Sequence, residues 1–243
     1  MKTYKKFINH SIFHYLLSGG LSQLIVLWFW TYISSTNSIE SIGGFHTLFF
    51  WVELIALISL MGITTSYAKI YHTERDRIND KLLFLVISII SLCISCLYIV
   101  HDGRLNLIDI VILCAVIGRV SYDYFLNRLV VIGYSTHVIV VQVSRAMLLI
   151  IFAVILNAAN MDPLIVILGS FSLSFLLPGL IMFTLSQRHM KPINFEISNL
   201  GILLMSAPYM AVGLVGIFAA YSTRLVGATL FTDKILGIVG FCF

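Results

Sequence analysis

Leu82-Leu-Phe-Leu-Val-Ile-Ser-Ile-Ile-Ser-Leu-Cys-Ile-Ser-Cys-Leu-Tyr-Ile-Val100 contains no charged side chain and no helix breaker. A helix of that length reaches about 28 Å, enough to cross a hydrocarbon core of about 30 Å with its flanks. The pattern recurs in both directions along the 243-residue chain. The predicted spans are Phe13–Ile33, Phe45–Ser66, Leu82–Val100, Leu107–Leu126, Ser135–Leu156, Leu164–Leu185 and Ile197–Tyr221, with an eighth starting near Ile235. Hydrophobic residues make up 59% and charged ones 11%, and the mean hydropathy is +1.00. The expected fold is therefore an all-α membrane protein, a polytopic bundle of about seven spans. Nine residues follow Lys234, too few to cross, so the eighth span is read as truncated.

The connectors carry the turn chemistry. Ser34–Gly44 is rich in Ser, Asn and Gly, Asp102-Gly103 separates the third and fourth spans, and Asp162-Pro163 opens the sixth. Pro178 and Pro208 fall inside spans, where each removes a backbone hydrogen bond and is expected to kink its helix. No connector is long enough for a soluble catalytic domain. The basic start (Lys2, Lys5, Lys6) leads into an apolar run longer than a signal-peptide core, read as an uncleaved first span.

Lys and Arg set the expected orientation. Ten fall on one side: Lys2, Lys5, Lys6, Lys69, Arg75, Arg77, Lys81, Arg128, Arg188 and Lys191. Only Arg104, Arg224 and Lys234 fall on the other. The asymmetry places the N-terminus in the cytoplasm. The net charge of +4 serves topology and does not point to nucleic acid. Cys93 and Cys96 share one helix, without thiol or His partners in their span, and read as small packing residues. Asp109 reads as a wet residue at the outer mouth, His46 (two turns before Glu53) and Gln23 as further polar groups inside the second and first spans, and the aromatics as packing or interface groups.

The informative residues are the charges inside the spans. Glu53 lies roughly 14 Å deep in the second span, Arg119 roughly 18 Å in the fourth and Arg145 roughly 17 Å in the fifth. Asp123 follows Arg119 by four residues and Gln142 precedes Arg145 by one turn. Each charge costs at least about 2.5–3.5 kcal/mol if it faces lipid, so all should point into the bundle or a wet cavity. Two readings stand: ion pairs that fix helix order, or a polar pathway whose arginines meet an anionic substrate. The near-cancelling charge also suits carboxylates that exchange protons or sodium. No phosphate loop, zinc-protease signature or nucleophile elbow is present, so neither an enzyme nor a cofactor is expected.

Short motifs add a resemblance. Ile39-Glu40-Ser41-Ile42-Gly43-Gly44-Phe45, Met61-Gly62-Ile63-Thr64-Thr65-Ser66-Tyr67-Ala68, and Arg224-Leu225 followed by Leu236-Gly237-Ile238-Val239-Gly240-Phe241 resemble passages of polysaccharide flippases of the multidrug/oligosaccharidyl-lipid/polysaccharide exporter superfamily, the O-antigen or capsule (Wzx) type. The first would be an acidic and Gly-containing turn, the second an exit into a basic loop. Val239 stands where that family often carries tyrosine.

The resemblance implies a two-lobe fold around a central cavity. Residues 1–191 would form the first six-span lobe, and residues 192–243 a seventh span and the start of an eighth belonging to an absent second lobe. It implies a bacterial inner-membrane protein that moves an undecaprenyl-diphosphate-linked oligosaccharide by alternating access. Arg119, Arg145, Glu53, Asp123 and Gln142 are the expected substrate-binding residues, with membrane lipids and a coupling proton or sodium ion as further partners. A single lobe is expected not to support transport alone. The alternatives are a small-molecule exporter of the multidrug branch and a membrane-embedded glycan polymerase or ligase.

Overall fold

The chain turns from its first helix into its second in two residues. Helix α1 (Lys2–Thr36) ends at Asn37-Ser38, and α2 (Ile39–Leu60) starts at once. The Ser38 hydroxyl accepts the Ser41 N–H at 3.2 Å, and Glu40 sits in the first turn, so both ends of the capping chemistry favour helix here. The Ser34–Gly44 connector expected from composition is thereby corrected to two residues, and Ile39–Gly44 is helix, not turn. Local capping outweighs the paired glycines.

The computed structural model describes residues 2–74, 79–102, 106–186 and 198–230, and side chains within 19–69, 71, 79–100, 106–134, 136–185 and 201–219. After α2 come α3 (Ile63–Glu74), α4 (Asp80–Asp102), α5 (Leu107–Ile132), α6 (Ser135–Ala158), α7 (Pro163–Ser186) and α8 (Ser198–Leu230). All regular structure among the described residues is helical. The expected span that begins near Ile235 lies outside them, as do the side chains of Lys2, Lys5, Lys6, Arg75, Arg77, Arg188, Lys191, Arg224 and Lys234 that set the expected orientation.

Five segments are long and apolar enough to cross a membrane: Ile39–Lys69, Asp80–Val100, Thr136–Ala158, Pro163–Leu185 and Gly201–Ala219. The number falls short of the seven full spans expected. Helix α5 is long enough, with 26 residues, but carries Asp109, Arg119 and Asp123. The outer surface is apolar, as lipid contact requires: Leu97 is 71% and Trp28 65% exposed. Cys93 and Cys96 belong to that exposed face, which corrects their reading as packing residues. The protein is an all-helical membrane protein.

The first of the five is a broken helix. Met61 and Gly62 both adopt left-handed backbone, with φ of 46° and 73°. A Cβ at Gly62 would lie 2.4 Å from the Met210 amide nitrogen and 2.6 Å from the Ser206 carbonyl oxygen. Glycine is required there twice over, by conformation and by the close approach of α8.

Helix α5 is the centre of the bundle, packed most extensively on α7 and also against α2, α3, α4 and α6. Two glycines bring α5 and α7 together. A Cβ on Gly118 would meet the Leu176 amide nitrogen at 2.7 Å, and one on Gly179 would meet Ser121 Cβ at 3.0 Å. Small residues at such a crossing replace the hydrophobic drive that lipid cannot supply. At one end of the bundle, Phe29, Trp30, Phe45, Phe49 and Phe171 form an aromatic core from α1, α2 and α7.

Candidate functional site

The close crossing of α5 and α7 sets Arg119, one residue after Gly118, against Phe175 of α7. The Arg119 guanidinium carbon stands 4.8 Å from the Phe175 ring centroid. Its Nε lies 3.1 Å from Glu53 Oε1 of α2 and 3.1 Å from Asp123 Oδ2, one turn along α5. Its Nη2 donates to Glu53 Oε2 at 3.3 Å. One guanidinium thus faces two carboxylates. All three side chains are between 16% and 25% exposed, so the group is neither sealed nor open.

Arg145 arrives from α6 on the same ring. Its guanidinium carbon is 4.7 Å from the Phe175 centroid and 5.8 Å from that of Tyr122. Tyr122 and Phe175 pack edge to face at 5.3 Å, and Phe175 is 3% exposed. Two cations on a desolvated aromatic group each gain about 2 kcal/mol from the ring quadrupole. Among the described residues, no carboxylate lies within ion-pair distance of Arg145. Its positive charge is oriented by aromatic faces and is not neutralised by a salt bridge.

Glu53, Arg119, Asp123 and Arg145, expected at one level from the depth count, therefore form one cluster across α2, α5 and α6. Gln142 lies on α6 one turn before Arg145 and is half-buried. His46 belongs elsewhere, buried and stacked on Trp30 at 5.5 Å, and Gln23 is exposed on α1. Asp109 is corrected from a wet mouth residue to a helix cap. It is 4% exposed, and its Oδ2 accepts the Asn106 N–H at 2.8 Å, satisfying a backbone donor that the start of α5 leaves open.

A second polar cluster joins α3, α4 and α5. Asp80 Oδ2 pairs with Arg128 Nε at 2.9 Å. Asp80 Oδ1 accepts the Tyr67 hydroxyl at 2.6 Å and the Tyr124 hydroxyl at 3.1 Å. Arg128 had a topological meaning in the sequence, as one of ten positive charges on one side. In the fold it is 7% exposed and serves as a clamp. The signal available was the i,i+4 spacing of Tyr124 and Arg128 on α5; their partner Asp80, 44 residues before Tyr124 and 48 before Arg128, had no local marker. Among the described residues no group of three His, Cys, Asp or Glu side chains is placed to hold a metal ion.

Comparison with protein-family models, with curated proteins and with solved structures finds no match for this chain. Arg119 is held by carboxylates, which fixes its position and lowers its pull on a further anion. Arg145, without such an ion pair among the described residues, presents a planar guanidinium fork suited to a phosphate or carboxylate. The arrangement can accept an anion at Arg145 and redistribute charge through Arg119 to two carboxylates.

Proposed function

We propose that the chain is a membrane transporter subunit that recognises a lipid-linked diphosphate at Arg145, as an inner-membrane flippase for undecaprenyl-diphosphate-linked oligosaccharide in O-antigen or capsule synthesis. The observation that carries the reading is Arg145, a guanidinium deep in a helical bundle, aimed by Phe175 and Tyr122 and without a salt bridge among the described residues. A charge facing lipid at such depth costs several kcal/mol, so a guanidinium retained there marks a candidate functional group. A diphosphate offers paired oxygens that match the planar fork of arginine.

Charge balance supplies the coupling. Two carboxylates and two guanidinium groups sum to zero. An incoming diphosphate draws Arg119 from Glu53 and Asp123, and the released carboxylates take up protons or sodium ions. The sugar moiety follows the polar cluster while the lipid tail stays in the bilayer. In this reading the protein sits in a bacterial inner membrane with its N-terminus in the cytoplasm, and it makes and breaks no covalent bond.

Ligand class tests the reading. Purified protein in detergent is titrated with farnesyl diphosphate and, separately, with tetraphenylphosphonium. The reading expects saturable binding of the diphosphate alone. Preference for the organic cation would replace it with a multidrug-type exporter.

A further inference from the structure

Where α5 ends and α6 begins, the helices leave a groove of about 730 Å3 between α6 and the second half of α7. Its two ends differ in chemistry. Near the α5–α6 turn the polar lining is Tyr134, Thr136 and His137, with Arg128 of α5 and Tyr71 of α3, beside apolar Leu129 and Ile132. Toward the middle of the bundle it becomes mostly apolar, with Val140, Leu148, Pro178, Ile181 and Met182 around Ser144. No acidic side chain is among the lining residues.

We infer that this groove is a binding site for one anionic glycerophospholipid, drawn from the leaflet beside the α5–α6 turn. Its phosphate would sit at the polar rim and one acyl chain along the apolar wall. The site is separate from Arg145 and does not depend on the ligand proposed there.

Three observations carry the inference. The first is length. Thr136 to Leu148 rises about 18 Å along α6, close to the roughly 15 Å that one leaflet contributes to the hydrocarbon core. The groove is therefore one acyl chain deep and stops near the midplane.

The second is charge and donor count. Tyrosine and threonine hydroxyls, the His137 ring and the Arg128 guanidinium line the rim and can donate to a phosphate, with no carboxylate among the described lining residues to repel it. Asp80 pairs with Arg128 at 2.9 Å, which holds the guanidinium in place and offsets its charge, so the Tyr, Thr and His donors carry most of the pull on a phosphate. The Tyr134 ring holds His137 edge to face at 5.4 Å, so the rim is ordered before a lipid arrives.

The third is access. Tyr134, Thr136, His137, Val140 and Ile181 are exposed on the lipid-facing side, whereas Pro178 and Met182 form a buried floor. A lipid can enter sideways from the bilayer without any helix moving.

Photolabelling of the whole protein in phosphatidylcholine vesicles tests this. Two probes with a diazirine on the acyl chain are compared, a phosphatidylglycerol and an uncharged diacylglycerol, and labelled peptides are mapped. The expected result is labelling of residues 138–150 and 176–185 by phosphatidylglycerol, well above the labelling of Leu97 on the open face of α4. His137→Ala combined with Tyr134→Phe should lower it by about tenfold, the loss expected from one or two charge-assisted hydrogen bonds. Ile181→Trp should block both probes in the groove. Labelling of Leu97, unchanged in every variant, reports that each protein remains inserted, and an unchanged melting temperature in detergent reports that it remains folded. Equal labelling of groove and α4, or groove labelling that ignores head-group charge and the rim substitutions, would mean ordinary annular lipid and overturn the site. Loss of diphosphate binding at Arg145 with groove labelling intact would strike the proposed function alone.

Discussion

Arg119 and Arg145 stand on one aromatic ring, their guanidinium carbons 4.8 and 4.7 Å from the centroid of Phe175. Only Arg119 is tied to carboxylates, through Glu53 and Asp123. Two cations at equal distance from one ring are thus in unequal electrostatic states. The ion-paired one holds α2 to α5, and the other is the one presented to an anion.

Arg119 and Glu53 should therefore behave as a structural pair. Arg119→Met leaves two carboxylates facing each other, and Glu53→Gln leaves one carboxylate against Arg119. Thermal unfolding in detergent should show each single substitution as destabilising, with a double-mutant coupling of about 1–3 kcal/mol. Strict additivity of the two changes would show that the pair does not hold the helices.

Gly118 should resist even a methyl group. A Cβ there meets backbone atoms of Leu176 that cannot rotate away, so Gly118→Ala should cost about 1–3 kcal/mol by overpacking, despite the better helix propensity of alanine. Gly216 in α8 is the control. Its Cβ would meet nothing within 4 Å, and Gly216→Ala should be neutral or stabilising by up to about 1 kcal/mol. Equal effects at the two sites would mean that α5 and α7 are not in close contact.

The Asp80 clamp predicts a graded series. Tyr67→Phe removes one of three groups bonded to the carboxylate and should cost about 1 kcal/mol. Asp80→Asn leaves the buried Arg128 charge uncompensated and should cost more, about 2–4 kcal/mol. Adding Arg128→Gln to Asp80→Asn should restore part of that loss. Hydrogen exchange at the start of α4 reads the same order, and a Tyr67→Phe effect larger than Asp80→Asn would contradict it.

The helices were largely legible in the sequence because lipid leaves few options. A run such as Leu82–Val100 has no partner for its backbone except itself, and α4 (Asp80–Asp102) covers it. The short break at Asn37-Ser38 was not legible, since Ser and Gly in Ser34–Gly44 suit a loop and a helix cap equally. Depth counting also brought Glu53, Arg119 and Arg145 to one level, because position along a span is nearly a coordinate in a membrane helix. What the count could not supply was rotation. Phe175 carries no polar signal, yet its ring receives both guanidinium groups, and Tyr122 adds a second face to Arg145. Asp80 likewise has no local mark of its tie to Arg128, since only the tertiary packing of α4 on α5 joins them. The same holds for Asp109, whose burial follows from its backbone capping bond and not from its distance along the helix.

If Arg145 is the anion-holding charge of this cluster, affinity for farnesyl diphosphate depends on it, as read on purified wild type, Arg145→Lys and Arg145→Ala together with their melting temperatures. Arg145→Ala should weaken binding by about tenfold or more, Arg145→Lys should retain part of it, and neither should shift the melting temperature as far as Arg119→Met, because no carboxylate among the described residues pairs with Arg145. Unchanged affinity in a folded Arg145→Ala protein would contradict it.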